Sequence, residues 1–197
     1  MQEGTVPNGW LPASGDDPLL RGSFAAALRG LPEDQQVKVR EGSTDREPGD
    51  DLHDVIGPIW HSVSVHAPPR EFVEMFGYLP QPVGNLFASQ WCQSEVCNGG
   101  FHQFFSNSTG VLAPEAVVGM AAIGLPNAST VVREAMAFLA PPYPRARSKR
   151  VKSLGGFARA QFKELDQAFY HHLRSESGGF LEAADAYARA YLKSRPA

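Results

Sequence analysis

One stretch constrains the fold of this chain more than any other: residues 95–110, EVCNGGFHQFFSNSTG. Its first half ends in a glycine pair, and its second half carries three phenylalanines, Phe101, Phe104 and Phe105. At 100° per residue these three rings fall within an arc of about 100°, which is one face of a helix. Gln103 and Asn107 stand four residues apart on the opposite side and form a polar ridge. The pattern predicts a short helix that points its rings into a core.

The residues before the rings predict a turn. Asn98 followed by Gly99-Gly100 supplies backbone that adopts positive φ and allows close approach of two segments. We expect a helix ending near Asn98, a glycine turn, and then the short helix. A β-hairpin turn at Asn98-Gly99 is the alternative, because Asn-Gly is a strong hairpin signal. The spacing of the phenylalanines favours the helices, because strands alternate with a period of two.

The remainder of the chain from residue 51 shows helical spacing of apolar residues. Candidate helices begin near residues 51, 70, 83, 114, 128, 157 and 179, and the longest candidate spans roughly 157–173. Asn127 is the expected N-cap of the helix that "PPYP" terminates. No segment shows the alternation typical of a strand. The sequence predicts an all-α protein, a compact orthogonal bundle of about six or seven helices.

The N-terminal region differs in composition from the rest. Residues 1–50 are rich in Gly, Pro, Asp and Glu, and we expect an irregular acidic extension before an all-α domain over residues 51–197. Its short apolar cluster, SFAAALRGLP, predicts a helix of two or three turns from Ser23. The following EGSTDREPGDD is typical of a solvated linker.

Charge is distributed unevenly along the chain. Residues 1–54 hold eleven acidic and five basic side chains, whereas residues 141–163 hold seven basic and none acidic. The two regions could attract each other or face different partners. Within residues 145–152, RARSKRVK, the candidates for anion contact are Arg145, Arg147, Lys149 and Arg150. A solvated loop between helices is the favoured interpretation of that segment, and direct nucleic-acid binding is not favoured.

Composition excludes several other classes. No run of apolar residues is long enough for a membrane span, and the first residues lack the features of a secretory signal. Two cysteines, Cys92 and Cys97, indicate free thiols in a reducing compartment. We therefore expect a soluble cytoplasmic protein without membrane contact.

Three chemical interpretations of residues 95–110 compete with a structural one. Cys92, Cys97 and His102 do not have a usual zinc spacing, and Cys97 with His102 lacks the sequence context of thiol catalysis. Glu95 and His102 could form an acid–base pair only if the glycines did not break the helix between them. The favoured hypothesis is that the polar residues brace the glycine turn, with no cofactor and no metal: Glu95, Asn98, Gln103 and Asn107.

These residues also resemble a bacterial family. The shared positions are Trp91, Glu95-Val96, Asn98-Gly99-Gly100-Phe101, Gln103-Phe104-Phe105, Asn107 and Gly110. They resemble the core motif of the DNA-mimic-protein-like C-terminal domain family, with Cys97 where members usually carry an asparagine. The resemblance implies an all-α fold. For the namesake it implies a dimeric acidic protein that occupies the DNA-binding surface of a transcription factor.

The expected function is protein–protein interaction without catalysis. The partner is unidentified; a DNA-binding regulator is one candidate, and a homodimer is possible by resemblance. The alternative is a regulator linked to nucleic acid, either as a DNA mimic or as a direct binder through residues 145–152. Residues 55–197 carry ten acidic and thirteen basic side chains, which does not suit mimicry of DNA. A small hydrolase or metalloenzyme using Glu95, His102 and Cys97 is the least favoured hypothesis.

Overall fold

The computed structural model describes residues 49–194, and within that range it contains helices and no strand. The predicted all-α class is confirmed. Residues 49–194 form eight α-helices, joined by turns and three short 3-10 segments: α1 Asp50–Ile56, α2 Pro69–Gly77, α3 Gln81–Ser106, α4 Ala113–Ala122, α5 Pro126–Met136, α6 Arg147–Leu154, α7 Lys163–Ser175 and α8 Phe180–Ser194. The 3-10 segments are Gly57–Ile59, Ser108–Leu112 and Arg159–Phe162. None of the helices in residues 49–194 combines the length and the apolar character that crossing a bilayer requires.

Helix α3 lies at the centre of the bundle. It contacts α1, α4, α6, α7 and α8. Its backbone is interrupted at Gly99 and Gly100, where Gly100 has a φ of +75°. The predicted glycine turn is therefore a break inside one long helical segment, and the hairpin alternative is wrong.

The core forms around the part of α3 that follows the glycine pair. Phe101, Phe104 and Phe105 are fully buried, as their spacing predicts. Phe101 packs edge-on against Phe169 of α7, with ring centroids 5.2 Å apart. Phe105 approaches Phe162 and Tyr143, so its ring joins three parts of the chain. The break at the glycine pair thus turns three aromatic rings into the interior.

Helix α6 corrects the expectation for the basic segment. Residues 145–152 were expected to form a solvated loop, but Arg147–Leu154 is helical and buries Arg150 completely. The Arg150 guanidinium donates hydrogen bonds to the carbonyls of Phe105 (2.9 Å) and Asn107 (2.7 Å). It also donates to the carbonyl of Arg145. Arg150 therefore satisfies carbonyls at the C-terminal end of α3, which have no intrahelical partner.

Two further details of the helices differ from expectation. The longest helix within residues 49–194 is α3, not the segment 157–173, because its glycine break does not end the helical run. That segment begins with two irregular residues, continues as the 3-10 turn Arg159–Phe162 and becomes α-helical at Lys163. Asn127 is not an N-cap: it follows Pro126 inside α5, and its N–H donates to Glu176 Oε1 at 3.0 Å. The carboxylate of Glu176, the residue that follows α7, therefore caps α5.

Residues 1–48 and 195–197 lie outside the described residues. The predicted helix from Ser23, residues 41–48 of the predicted linker and most of the acidic extension fall there. The last two residues of that linker, Asp50 and Asp51, instead form the first turn of α1, and Asp51 is buried. The domain boundary near residue 50 remains a prediction.

Replacing Arg150 tests its part in the fold. Because Arg150→Met leaves buried carbonyls without donors, we expect the free energy of unfolding to fall by roughly 3 kcal/mol. Arg150→Lys is expected to lose part of that, because an ammonium lacks the planar fork of the guanidinium. Urea unfolding measures both, with Lys149→Met, on the exposed side of α6, as the control. A loss for Arg150→Met no larger than that of the control would contradict the assignment.

Candidate functional site

The carboxylate of Glu95 lies at the centre of the motif. Glu95 is only 4% exposed, and all its hydrogen-bond donors are uncharged side chains. Its Oε2 accepts from Asn107 Nδ2 at 2.8 Å and from Gln103 Nε2 at 3.3 Å. Its Oε1 accepts from Thr109 Oγ1 at 3.0 Å. We name these four residues, Glu95, Gln103, Asn107 and Thr109, the brace.

The brace spans the break in α3. Glu95 precedes the glycine pair, whereas its three donors follow it. Gly99 packs directly against the side chain of Gln103, because a Cβ on Gly99 would lie 1.9 Å from the Gln103 side-chain oxygen. Any larger residue would push Gln103 away from the carboxylate. The predicted polar ridge of Gln103 and Asn107 is therefore turned towards Glu95.

A second carboxylate binds the break from outside α3. Asp166 of α7 accepts the N–H of Phe101 at 2.8 Å through Oδ1. A Cβ on Gly100 would lie 2.5 Å from Asp166 Oδ2, so this close approach requires glycine, as does the positive φ. Burial raises the pKa of Asp166, against the lowering effect of the Phe101 N–H. Nearby, Tyr170 donates its hydroxyl to the carbonyl of Val96 at 2.9 Å.

The other motif residues have packing roles. Trp91 stacks on Trp60, with ring centroids 4.8 Å apart. Gly110 is buried, and a Cβ there would lie 2.7 Å from the Phe104 carbonyl oxygen and 2.8 Å from Arg150 Nε. Its own carbonyl accepts from the Tyr143 hydroxyl at 2.7 Å. The glycine therefore permits the close contact between the end of α3 and α6.

The remaining candidates for chemistry are not brought together with the brace. Asn98 is exposed, and Cys97 is exposed with its sulfur 3.6 Å from Gln93 Nε2. Burial of part of the Cys97 side chain raises the pKa of its thiol. His102 packs edge-on against Phe162, with ring centroids 6.1 Å apart. Over residues 49–194, no three His, Cys, Asp or Glu side chains group as metal ligands would.

The candidate anion contacts divide into two kinds. Arg145 pairs with Glu115 through two hydrogen bonds of 2.6 and 3.0 Å, and Arg147 donates to the Ser106 carbonyl at 2.7 Å. Arg150 is buried, and this desolvation lowers its pKa. Lys149 is exposed. Three more exposed cations belong to the same basic stretch and were not among the predicted anion contacts: Lys152, Arg159 and Lys163.

The structure defines an all-α protein built on a long, broken and braced central helix. Its sequence matches the model of the family described as DMP19-like protein over residues 77–191. That is more than half of the chain, so the chain belongs to this family, and the suspected resemblance is confirmed. No curated protein and no solved structure matches the chain.

Replacing Glu95 tests the brace. Glu95→Gln keeps the volume but offers one carbonyl and one NH₂ group to three donors. We expect the free energy of unfolding to fall by about 2 kcal/mol, because hydrogen bonds to a charged group are lost inside the protein. Urea unfolding measures the change, and Glu134→Gln on the exposed side of α5 is the control. If the two variants lose equal stability, the brace does not hold the break.

The pH dependence of stability tests Asp166. Its folded pKa is raised, so the folded state holds the proton more tightly than the unfolded state. The stabilising contribution of this group is therefore complete below its ordinary pKa and is lost as pH rises through the raised one. We expect the stability of wild type relative to Asp166→Asn to decrease as the pH rises from below about 3.9, the ordinary pKa of an aspartate, through the raised pKa. Urea unfolding across that range checks it, with Gln167→Asn as the non-titrating control. A relative stability that grows with pH would contradict the assignment.

Proposed function

We propose that the protein acts by binding another protein, without catalysis, through a surface of exposed cations. We define the cationic surface as Lys149, Lys152, Arg159 and Lys163, which are carried by α6, the 3-10 turn after it and the first residue of α7. All four are exposed, and none forms an ion pair with another residue in the range 49–194. This is the observation that carries the proposal.

The orientation of the neighbouring arginines supports it. Arg145 and Arg150 of the same stretch turn inward, to Glu115 and to backbone carbonyls. Those contacts fix α6 against the end of α3, so a partner that binds its lysines would not have to order the helix backbone. An acidic surface of a partner protein is the complement, because charge steers association and selects the partner.

The brace supports a role without catalysis at the motif. Each oxygen of Glu95 already accepts a hydrogen bond from a neighbouring side chain, and the group is buried. A general acid or base needs to reach a proton on a substrate. The motif's central carboxylate is used instead for holding the helix break.

A second candidate function is regulation linked to nucleic acid. The same exposed cations favour direct contact with phosphates, since Lys and Arg side chains release counterions when they neutralise a duplex. The family's name refers to a DNA mimic, and a mimic would instead use acidic side chains. In this chain the acidic excess lies in residues 1–54 rather than in the matched residues.

A charge-reversal pair tests the proposal. The partner is first recovered from the native cells with the full-length wild-type protein. We expect Lys149→Glu with Lys152→Glu to raise the Kd for this partner at least about tenfold. Arg70→Glu with Lys193→Glu changes the net charge equally at exposed positions of α2 and α8 and is expected to retain binding. If both pairs bind as wild type does, the cationic surface is not the interface.

The same variants separate the second candidate. Fluorescence anisotropy with a labelled DNA duplex, at low and at high salt, measures direct nucleic-acid binding. Salt-sensitive binding that only the Lys149/Lys152 pair loses would favour nucleic acid over a protein partner. Absence of binding at low salt would eliminate direct contact with DNA.

A further inference from the structure

A groove opens where α3, α7 and α8 meet. It has a volume of about 720 Å³. Its wall includes Cys97 from α3, Tyr170, Leu173 and Arg174 from α7, and Leu181 and Glu182 in the first turn of α8. Leu181 is 45% exposed, so its side chain offers apolar surface at the edge of the groove. We call this the α7–α8 groove.

The chain enters the described part of the structure at the rim of this groove. Gly49 donates its N–H to the carboxylate of Asp185 in α8, and the same carboxylate accepts from Leu52 N at 2.9 Å. A Cβ built on Gly49 would lie 3.7 Å from Leu181 Cδ2. Residues 1–48 therefore join the bundle immediately beside the exposed leucine.

The extension contains a segment that suits the groove. In residues 23–32, SFAAALRGLP, the apolar side chains of Phe24, Leu28 and Leu31 follow one another at intervals of four and three. That spacing places them on one face of a helix. The wall of the groove carries one charge of each sign, Arg174 and Glu182, so apolar contact rather than charge would have to hold the segment. The segment thus offers an apolar face that can pack on Leu173 and Leu181.

We propose that residues 23–32 of the same chain dock in the α7–α8 groove as a helix and cover Leu181 and Cys97. Residues 33–48 form the tether, and at roughly 3.3 Å per extended residue it spans about 50 Å, so its length does not prevent docking. A tether of this kind holds the segment at an effective concentration in the millimolar range. A weak apolar contact therefore suffices to keep the groove occupied. The interaction also makes the extension a competitor for any outside helix that would bind there.

Accessibility of Cys97 measures the occupancy of the groove. Cys97 is exposed in the bundle, whereas Cys92 is fully buried, so a thiol reagent reports on Cys97 in the folded protein. In the full chain, Phe24→Asp with Leu28→Asp is expected to raise the rate of Cys97 labelling at least about tenfold, because burying two carboxylates against Leu173 and Leu181 is unfavourable. Leu11→Asp with Val37→Asp is the matched control and is expected to leave the rate unchanged. Equal labelling rates for wild type and the Phe24/Leu28 pair would overturn the proposal.

A cross-link identifies the occupant. Leu28→Cys, in a chain that retains Cys97, is expected to form a disulfide within one chain under mild oxidation, seen as a shifted monomer on a non-reducing gel. Val37→Cys lies nearer to Gly49 along the tether, so random encounters would link it at least as fast. Faster linkage at position 28 than at position 37 supports docking. Equal rates overturn it, and linkage found only in dimers overturns it in favour of the extension of a second copy.

Discussion

The buried carboxylate of Glu95 is the interaction on which the rest of the structure depends. A helix that breaks near its C-terminal end leaves backbone groups without partners and the two parts free to change direction. Glu95 joins the two parts, because it lies before the break and accepts hydrogen bonds from Gln103, Asn107 and Thr109 after it. The direction fixed in this way sends Phe101, Phe104 and Phe105 into the core. Loss of the carboxylate would affect the aromatic core although Glu95 is not part of it.

Two other helices complete what Glu95 begins. Asp166 of α7 accepts the N–H of Phe101, the first residue after the break, and Arg150 of α6 donates to carbonyls at the far end of the same half-helix. An anion thus stands at the start of this half-helix and a cation at its end, which is the arrangement that the helix dipole favours. The short half-helix is held at both ends by distant parts of the chain. This explains why a segment of only six residues, 101–106, is stable as the centre of the bundle.

The sequence predicted those parts of the structure that depend on local pattern. The spacing of the phenylalanines identified core positions, and the glycine pair identified the break. The pattern could not reveal α6, because its main buried side chain is Arg150, which hydropathy treats as a surface residue. Nor could it reveal Asp166, which meets Phe101 from 65 positions away along the chain. The prediction that Asn127 caps α5 was wrong for a similar reason, because the cap comes from Glu176, which lies 49 residues later in the chain. Contacts between polar groups at long sequence separation leave no periodic trace.

The charge of the matched residues does not suit the mimicry of DNA that the family name suggests. The matched residues, 77–191, include eight acidic and ten basic side chains. Two of the acidic side chains, Glu95 and Asp185, are also buried. A surface that imitates DNA needs closely spaced negative charges, one for about every 1.7 Å of duplex axis. The matched domain does not carry them, so any mimicry by this chain would have to use residues 1–54. Docking of residues 23–32 in the α7–α8 groove would hold that acidic region against α8, while the exposed lysines remain on α6. The two charged regions would then act on different helices of one bundle, and a partner that binds one would not need to displace the other.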